Sequence, residues 1–155
     1  MRIKWKPFLL SLAIPLAAGG LGTLLSGGMD TYGKLNQPPL SPPGWVFPIV
    51  WSILYLLMGY ASYRIYVSEA DREDKRKALT FYGIQLFLNF LWPVVFFGLQ
   101  WYWAAFILLL ALWVLIYLTM HLFGAIDDTA ENLLIPYLLW VTFAGYLNLG
   151  VALLN

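Results

Sequence analysis

The residues able to do chemistry in this chain are indoles and amides. It has eight tryptophans, one histidine and no cysteine. Gln85 and Asn89 stand four apart, and Trp92 and Phe96 continue the same helical face. Trp140, Ala144, Leu147 and Asn148 share a second face; Trp51, Tyr55, Met58, Gly59 and Ser62 share a third. An amide in hydrocarbon is costly without a partner, so the three faces turn toward one another. Two readings of that convergence stand side by side. One is an aromatic cavity with a few hydrogen-bonding groups, the make-up of a small-molecule pocket. The other is packing, with amides bonding between helices and rings filling gaps.

Other chemistries lack their residues. Without cysteine there is no thiolate and no disulfide. His121 has neither cysteine nor nearby carboxylates to complete a metal site, so it reads as a polar residue at an interface. There is no Walker motif, dinucleotide fingerprint or serine elbow. A net charge of +1 offers no basic face for nucleic acid.

The elements that position these faces follow from composition. Apolar residues make up 61% of the chain and charged residues 11%, against about 25% charged in a soluble domain. Lipid must therefore be the surrounding phase, and the expected fold class is all-α, an integral membrane bundle of five transmembrane helices. A span needs about 20 apolar residues, which places spans at about 8–29, 45–66, 78–97, 101–123 and 132–154, all in one domain. The charge-free stretch 78–126 would make a helix of roughly 74 Å, too long for one crossing, and Gly98-Leu99-Gln100 is its natural break. A signal peptide is the alternative for the first span, although the run is long and lacks an Ala-x-Ala site. No ionisable residue falls deep inside a span, Arg64 and His121 standing at span ends, which argues against a proton pump or an ion-coupled transporter. Gly19, Gly20, Gly22, Gly27 and Gly28 read as points of close helix approach or as a dimer face.

Eight Lys/Arg residues (2, 4, 6, 64, 72, 75, 76 and 77) fall on one side and only Lys34 on the other. That bias puts the N-terminus in the cytoplasm of a cell-membrane protein, with the first loop (30–44) and the C-terminus outside. By helical rise, Trp51, Asn148 and Asn89 lie about 9, 10 and 12 Å below the outer surface, and Trp140 about 20 Å. Trp140 is thus a candidate floor, and the Pro-rich loop a stiff lid. Trp5, Trp45, Trp101 and Trp103 lie where an aromatic belt belongs.

The run from Pro38-Pro39-Leu40-Ser41-Pro42-Pro43-Gly44-Trp45 through Trp51 to Tyr63 resembles the signature of the translocator protein family. These are the tryptophan-rich sensory proteins of bacteria and the peripheral-type benzodiazepine receptors. Gln85-Leu86-Phe87-Leu88-Asn89-Phe90-Leu91-Trp92-Pro93 is similar to the family's third helix, and Pro136 to Asn148 to its fifth. The resemblance implies a five-helix bundle, commonly a homodimer, whose cavity under the first loop binds tetrapyrroles (protoporphyrin IX and haem) and benzodiazepine-site ligands. It carries ligand binding onto Trp51, Asn89, Phe90, Trp92, Trp140, Ala144, Leu147 and Asn148, with Tyr32 and Pro42 on the covering loop. The C-terminal run Leu147 to Asn155 lacks the cholesterol-recognition pattern of the family's mammalian members, an apolar residue, then Tyr, then a basic residue, which speaks against a sterol role.

The resulting expectation is a receptor or sensor for tetrapyrroles with no cofactor of its own. Family precedent adds light-driven oxidative breakdown of protoporphyrin IX, for which Trp51 and Trp140 are the candidate catalytic indoles. Passive transport of porphyrins or other amphiphiles is the alternative.

Overall fold

A computed structural model of the chain describes residues 2–27 and 32–155. Gly28, Met29, Asp30 and Thr31, at the end of the expected first span and the start of the loop, lie outside them. Among the described residues the regular structure is helical: α1 (Trp5–Leu25), a 3-10 turn (Tyr32–Lys34), α2 (Val46–Tyr66), α3 (Arg72–Pro93), α4 (Tyr102–Gly124), α5 (Asp128–Leu133) and α6 (Ile135–Leu154). Five stretches are long and apolar enough to cross a membrane, with α3 counted through Gly98 and α5 joined to α6. Helices satisfy their own backbone groups, which hydrocarbon demands. The chain is thus a multi-pass membrane protein.

Local chemistry sets the ends. α1 stops at Ser26, whose N–H reaches the Gly22 carbonyl, and Gly27 follows at φ +83°. α3 begins at Arg72, six residues before the expected span. Glu73 and Asp74 in its first turn suit the positive end of the helix dipole, so the helix extends past the apolar stretch. Pro93 lacks an N–H, and beyond it the helix widens into a π-turn over Val94–Gly98. Leu99 N–H then bonds the Val94 carbonyl at 2.9 Å, and Gln100 turns the chain at φ +58°. The expected break at 98–100 is thus built from a proline, a π-turn and one left-handed residue. Asp127 caps α5 by accepting from Thr129 N–H at 2.9 Å. Pro136 stands in the first turn of α6, where no intrahelical N–H is missed.

The spans form a ring in the order α2, α1, α3, α4, α6, while α5 packs on α2 and α4. At two glycines a span comes up against the backbone of its neighbour. A Cβ on Gly59 would stand 2.6 Å from the Ser11 carbonyl oxygen of α1, and one on Gly22 2.8 Å from the Phe90 carbonyl oxygen of α3. Gly20 has open space around it, so the glycine stripe is not one uniform contact face. Trp5, Trp45, Trp101 and Trp103, near helix ends, are 52–69% exposed, as an aromatic belt requires. Where α2 ends, the Arg64 guanidinium donates through Nε to Asp127 at 2.7 Å. Asp127 is partly desolvated, which raises its pKa. The hydrogen bond from Arg64, the backbone N–H of Thr129 and the Arg64 charge outweigh that and hold it below the ordinary value of 3.8.

Candidate functional site

Inside the ring, at the end that carries the first loop, lies a cavity of about 500 Å³. Its walls are mostly rings. α2 gives Trp51 and Tyr55, α3 and its π-turn give Trp92, Phe96 and Phe97, and α6 gives Trp140. Phe47 and Tyr32, edge to face at 5.0 Å, close the upper side, and Phe47 meets Trp140 at 5.8 Å. Trp92 stacks on Phe96 at 4.8 Å and Trp51 on Tyr55 at 5.5 Å.

Eight of the ten expected binding residues line this cavity: Tyr32, Trp51, Asn89, Trp92, Trp140, Ala144, Leu147 and Asn148. Two do not. Phe90 follows Asn89 by one residue, about 100° further round the helix, and stacks on Phe87 at 6.3 Å, away from the cavity. Pro42 is in the loop but acts through its carbonyl, which accepts from the Tyr32 hydroxyl at 2.7 Å. It thereby holds Tyr32 and does not itself face the space. The cavity also takes residues that the faces did not suggest, notably Gly19, Gly20 and Thr23 of α1 and Leu109 and Leu112 of α4. Their only signal was the glycine stripe of α1, because an aliphatic lining residue looks like any other apolar residue of a span.

The amides are already engaged. Asn89 accepts from the Tyr55 hydroxyl at 2.8 Å and donates to the Tyr137 hydroxyl at 2.8 Å; Tyr137 donates to Gln85 Oε1 at 2.7 Å. This chain joins α2, α3 and α6 and seals the end of the cavity away from the loop. It is the floor, and Trp140, expected there, is a side wall. Near the loop end, Trp92 Nε1 donates to Asn148 Oδ1 at 3.0 Å, and Asn148 donates to the Tyr102 carbonyl at 2.9 Å. Trp140 differs from Trp92: its Nε1–H is buried and has no hydrogen-bond partner among the described residues.

The loop is strapped to the end of α6. Tyr146 donates to the Pro39 carbonyl at 2.6 Å, Asn36 N–H donates to Asn155 Oδ1 at 3.2 Å, and Asn155 Nδ2 returns a bond to the Asn36 carbonyl at 2.9 Å. Pro38 packs so closely on Gly150 that no Cβ fits there. Burial raises the pKa of the Tyr32 phenol, partly offset by the nearby Ser41 hydroxyl.

Fold and cavity together define a class: a multi-pass helical membrane protein with an aromatic chamber of the size that holds small molecules. The profile of the TspO/MBR family matches residues 11–154. A tryptophan-rich sensory protein of Cereibacter sphaeroides is 39% identical over 155 residues, 100% of this chain and 95% of that protein. The translocator protein of Ovis aries is 36% identical over 152 residues, 96% of this chain and 89% of the sheep protein. Protein CrtK of Rhodobacter capsulatus is 36% identical over 138 residues, covering 89% and 86%. This chain belongs to the TspO/MBR family of tryptophan-rich sensory and translocator proteins.

Proposed function

We propose that this chain is a membrane receptor or sensor that binds flat tetrapyrroles, protoporphyrin IX or haem, in the aromatic cavity, and takes benzodiazepine-site ligands in the same place. One observation carries the proposal: a space of about 500 Å³ lined by the rings of Trp51, Trp92 and Trp140, on which an aromatic disc can stack. Saturable quenching of tryptophan fluorescence by protoporphyrin IX in nanodiscs tests it. An aromatic pair adds about 0.5–1.5 kcal/mol, so Trp51→Leu and Trp140→Leu should each raise Kd about 2- to 13-fold. Unchanged Kd in both variants would remove the cavity as the binding site.

A second reading is light-dependent oxidative breakdown of bound protoporphyrin IX with dioxygen as the oxidant, in which Trp51 or Trp140 gives an electron to the excited pigment and the reduced pigment passes it on to dioxygen. It is favoured by both indoles lining the same space. Absorbance of the bound pigment, followed in darkness and in light, tests it. Faster loss in light with the parent than with Trp51→Phe/Trp140→Phe supports it, and equal loss refutes it. Passive passage of porphyrins across the membrane is the alternative, and equal uptake by vesicles with and without the protein removes it. We place the receptor in the cell membrane as a homodimer with its N-terminus in the cytoplasm. Thiol labelling of single cysteines at Lys4 and Lys34 reads the orientation, and mass analysis in detergent reads the assembly.

A further inference from the structure

α2 and α6 are ring neighbours whose backbones come close at few points and which meet through the rings of Phe47 with Trp140 and Trp51 with Tyr137. Between them, on the outer surface, runs a groove lined by Val50, Ile53, Leu57, Leu139, Trp140 and Phe143, among others, all apolar. Its α2 residues lie about 6–17 Å along the helix from Val46, within a hydrocarbon layer about 30 Å thick. What covers this groove is therefore lipid. Trp140 belongs to both spaces: it lines the inner cavity and the groove. Its ring is held by packing alone. Trp92 is tied to Asn148, whereas Trp140 Nε1–H has no partner among the described residues, and its ring contacts are edge-on to Phe47 at 5.8 Å and tilted to Phe143 at 5.5 Å. The loop side, by contrast, is closed by the straps to Tyr146, Gly150 and Asn155.

We propose that the groove between α2 and α6 is a lipid-side entrance to the cavity, with Trp140 as its movable wall, and that it admits flat, largely apolar molecules dissolved in the bilayer. Rotating Trp140 breaks no hydrogen bond, whereas opening the loop breaks several. A flat aromatic ligand partitions into lipid and would arrive along the groove edge-first, meeting only hydrocarbon side chains. Its chemistry matches the ligand class proposed above, but the route concerns any flat apolar molecule, whether or not tetrapyrroles bind.

The test needs no tetrapyrrole. Because the chain has no cysteine, Ala144→Cys places one thiol in the cavity wall, and Lys34→Cys gives a reference thiol in the loop. Both are reacted in nanodiscs with a long-chain N-alkyl maleimide, which dissolves in the bilayer, and with a charged methanethiosulfonate, which stays in water. Relative to the reference, the cavity thiol should react at least tenfold faster with the lipophilic reagent than with the charged one. Ile53→Trp, which fills the groove, should slow that reaction at least tenfold at unchanged Tm, and Ile107→Trp, on the lipid face of α4 (Ile107 is 66% exposed), should not. Equal labelling by both reagents, no labelling by either, or no effect of Ile53→Trp would each overturn the side entrance. Failure of porphyrin to bind, read separately by fluorescence, would overturn only the ligand assignment.

Discussion

Removing one hydroxyl tests whether the floor of the cavity is held by its polar chain. Tyr137 is 1% exposed; its hydroxyl accepts from Asn89 and donates to Gln85, each buried at 4% and 2% exposure. Tyr137→Phe keeps the ring and deletes both bonds. Hydrogen bonds between membrane helices average about 0.6 kcal/mol and reach about 1.7, so two lost bonds predict roughly 1–3 kcal/mol. The lower end applies if Asn89 and Gln85 find each other or a water, and the upper end if both stay unpaired in hydrocarbon. Equilibrium unfolding by SDS in mixed micelles measures this, with Tyr117→Phe, on a lipid-exposed ring (44% exposed), as the control. The double variant Tyr137→Phe/Gln85→Leu should be less destabilised than the sum of the singles, because no unpaired acceptor then remains. A change below about 0.5 kcal/mol for Tyr137→Phe, where that bond average would give about 1.2, together with additive singles, would refute the floor as a bonded unit.

Gly59→Ala should cost about 1–3 kcal/mol in the same assay, the usual range for overpacking, because its Cβ meets the Ser11 carbonyl oxygen, a backbone atom. Gly20→Ala, in open space, should change stability little. Acid should weaken the junction of α2 and α5. The lowered pKa of Asp127 means that its contribution is fully present above 3.8 and is lost as pH falls through the lowered value. Asp127→Asn should therefore destabilise more at pH 7 than in acid, by no more than about 1 kcal/mol for so accessible a pair. Haem, if bound, should show no spectrum of axial histidine or methionine ligation, because no His, Met or Cys lines the cavity among the described residues; a histidine-ligated spectrum that disappears in His121→Ala would place haem elsewhere.

Much of this was legible because lipid simplifies the code. A charge-free run of about 20 residues has one outcome, a helix, and the five spans follow from counting. The faces of α2, α3 and α6 were legible for the same reason, since Trp51, Asn89, Trp92, Trp140 and Asn148 stand out against aliphatic neighbours. The helix ends were less so. Arg72–Lys77 is too polar for a span, yet its acidic first turn and the apolar helix behind it extend α3 beyond the hydrocarbon. Leu134 separates α5 from α6, although the apolar pattern runs through it. Phe90 shows the limit of motif matching: a run of matching residues includes positions on every side of a helix, and only about a third can face one cavity. The share of α1 stayed hidden because glycine and threonine in a span mark close packing as often as a cavity wall.

The two readings of the amides, pocket and packing glue, turn out not to compete. Asn148 accepts from Trp92 on α3 and donates to Tyr102 at the start of α4, and it also lines the cavity. Asn89 does the same for α2, α3 and α6. Because hydrocarbon offers no other partner, these amides bond phenol, indole and backbone groups on neighbouring helices and so fix the spacing of the rings between them. The cavity is then walled by rings and poor in free polar groups. A planar ligand of the class proposed above would be held there by shape and stacking. Polar substituents on that ligand have few unspent donors to meet within the ring of helices. They would therefore project toward the loop, where Ser41 and the polar backbone of residues 36–42 stand at the mouth.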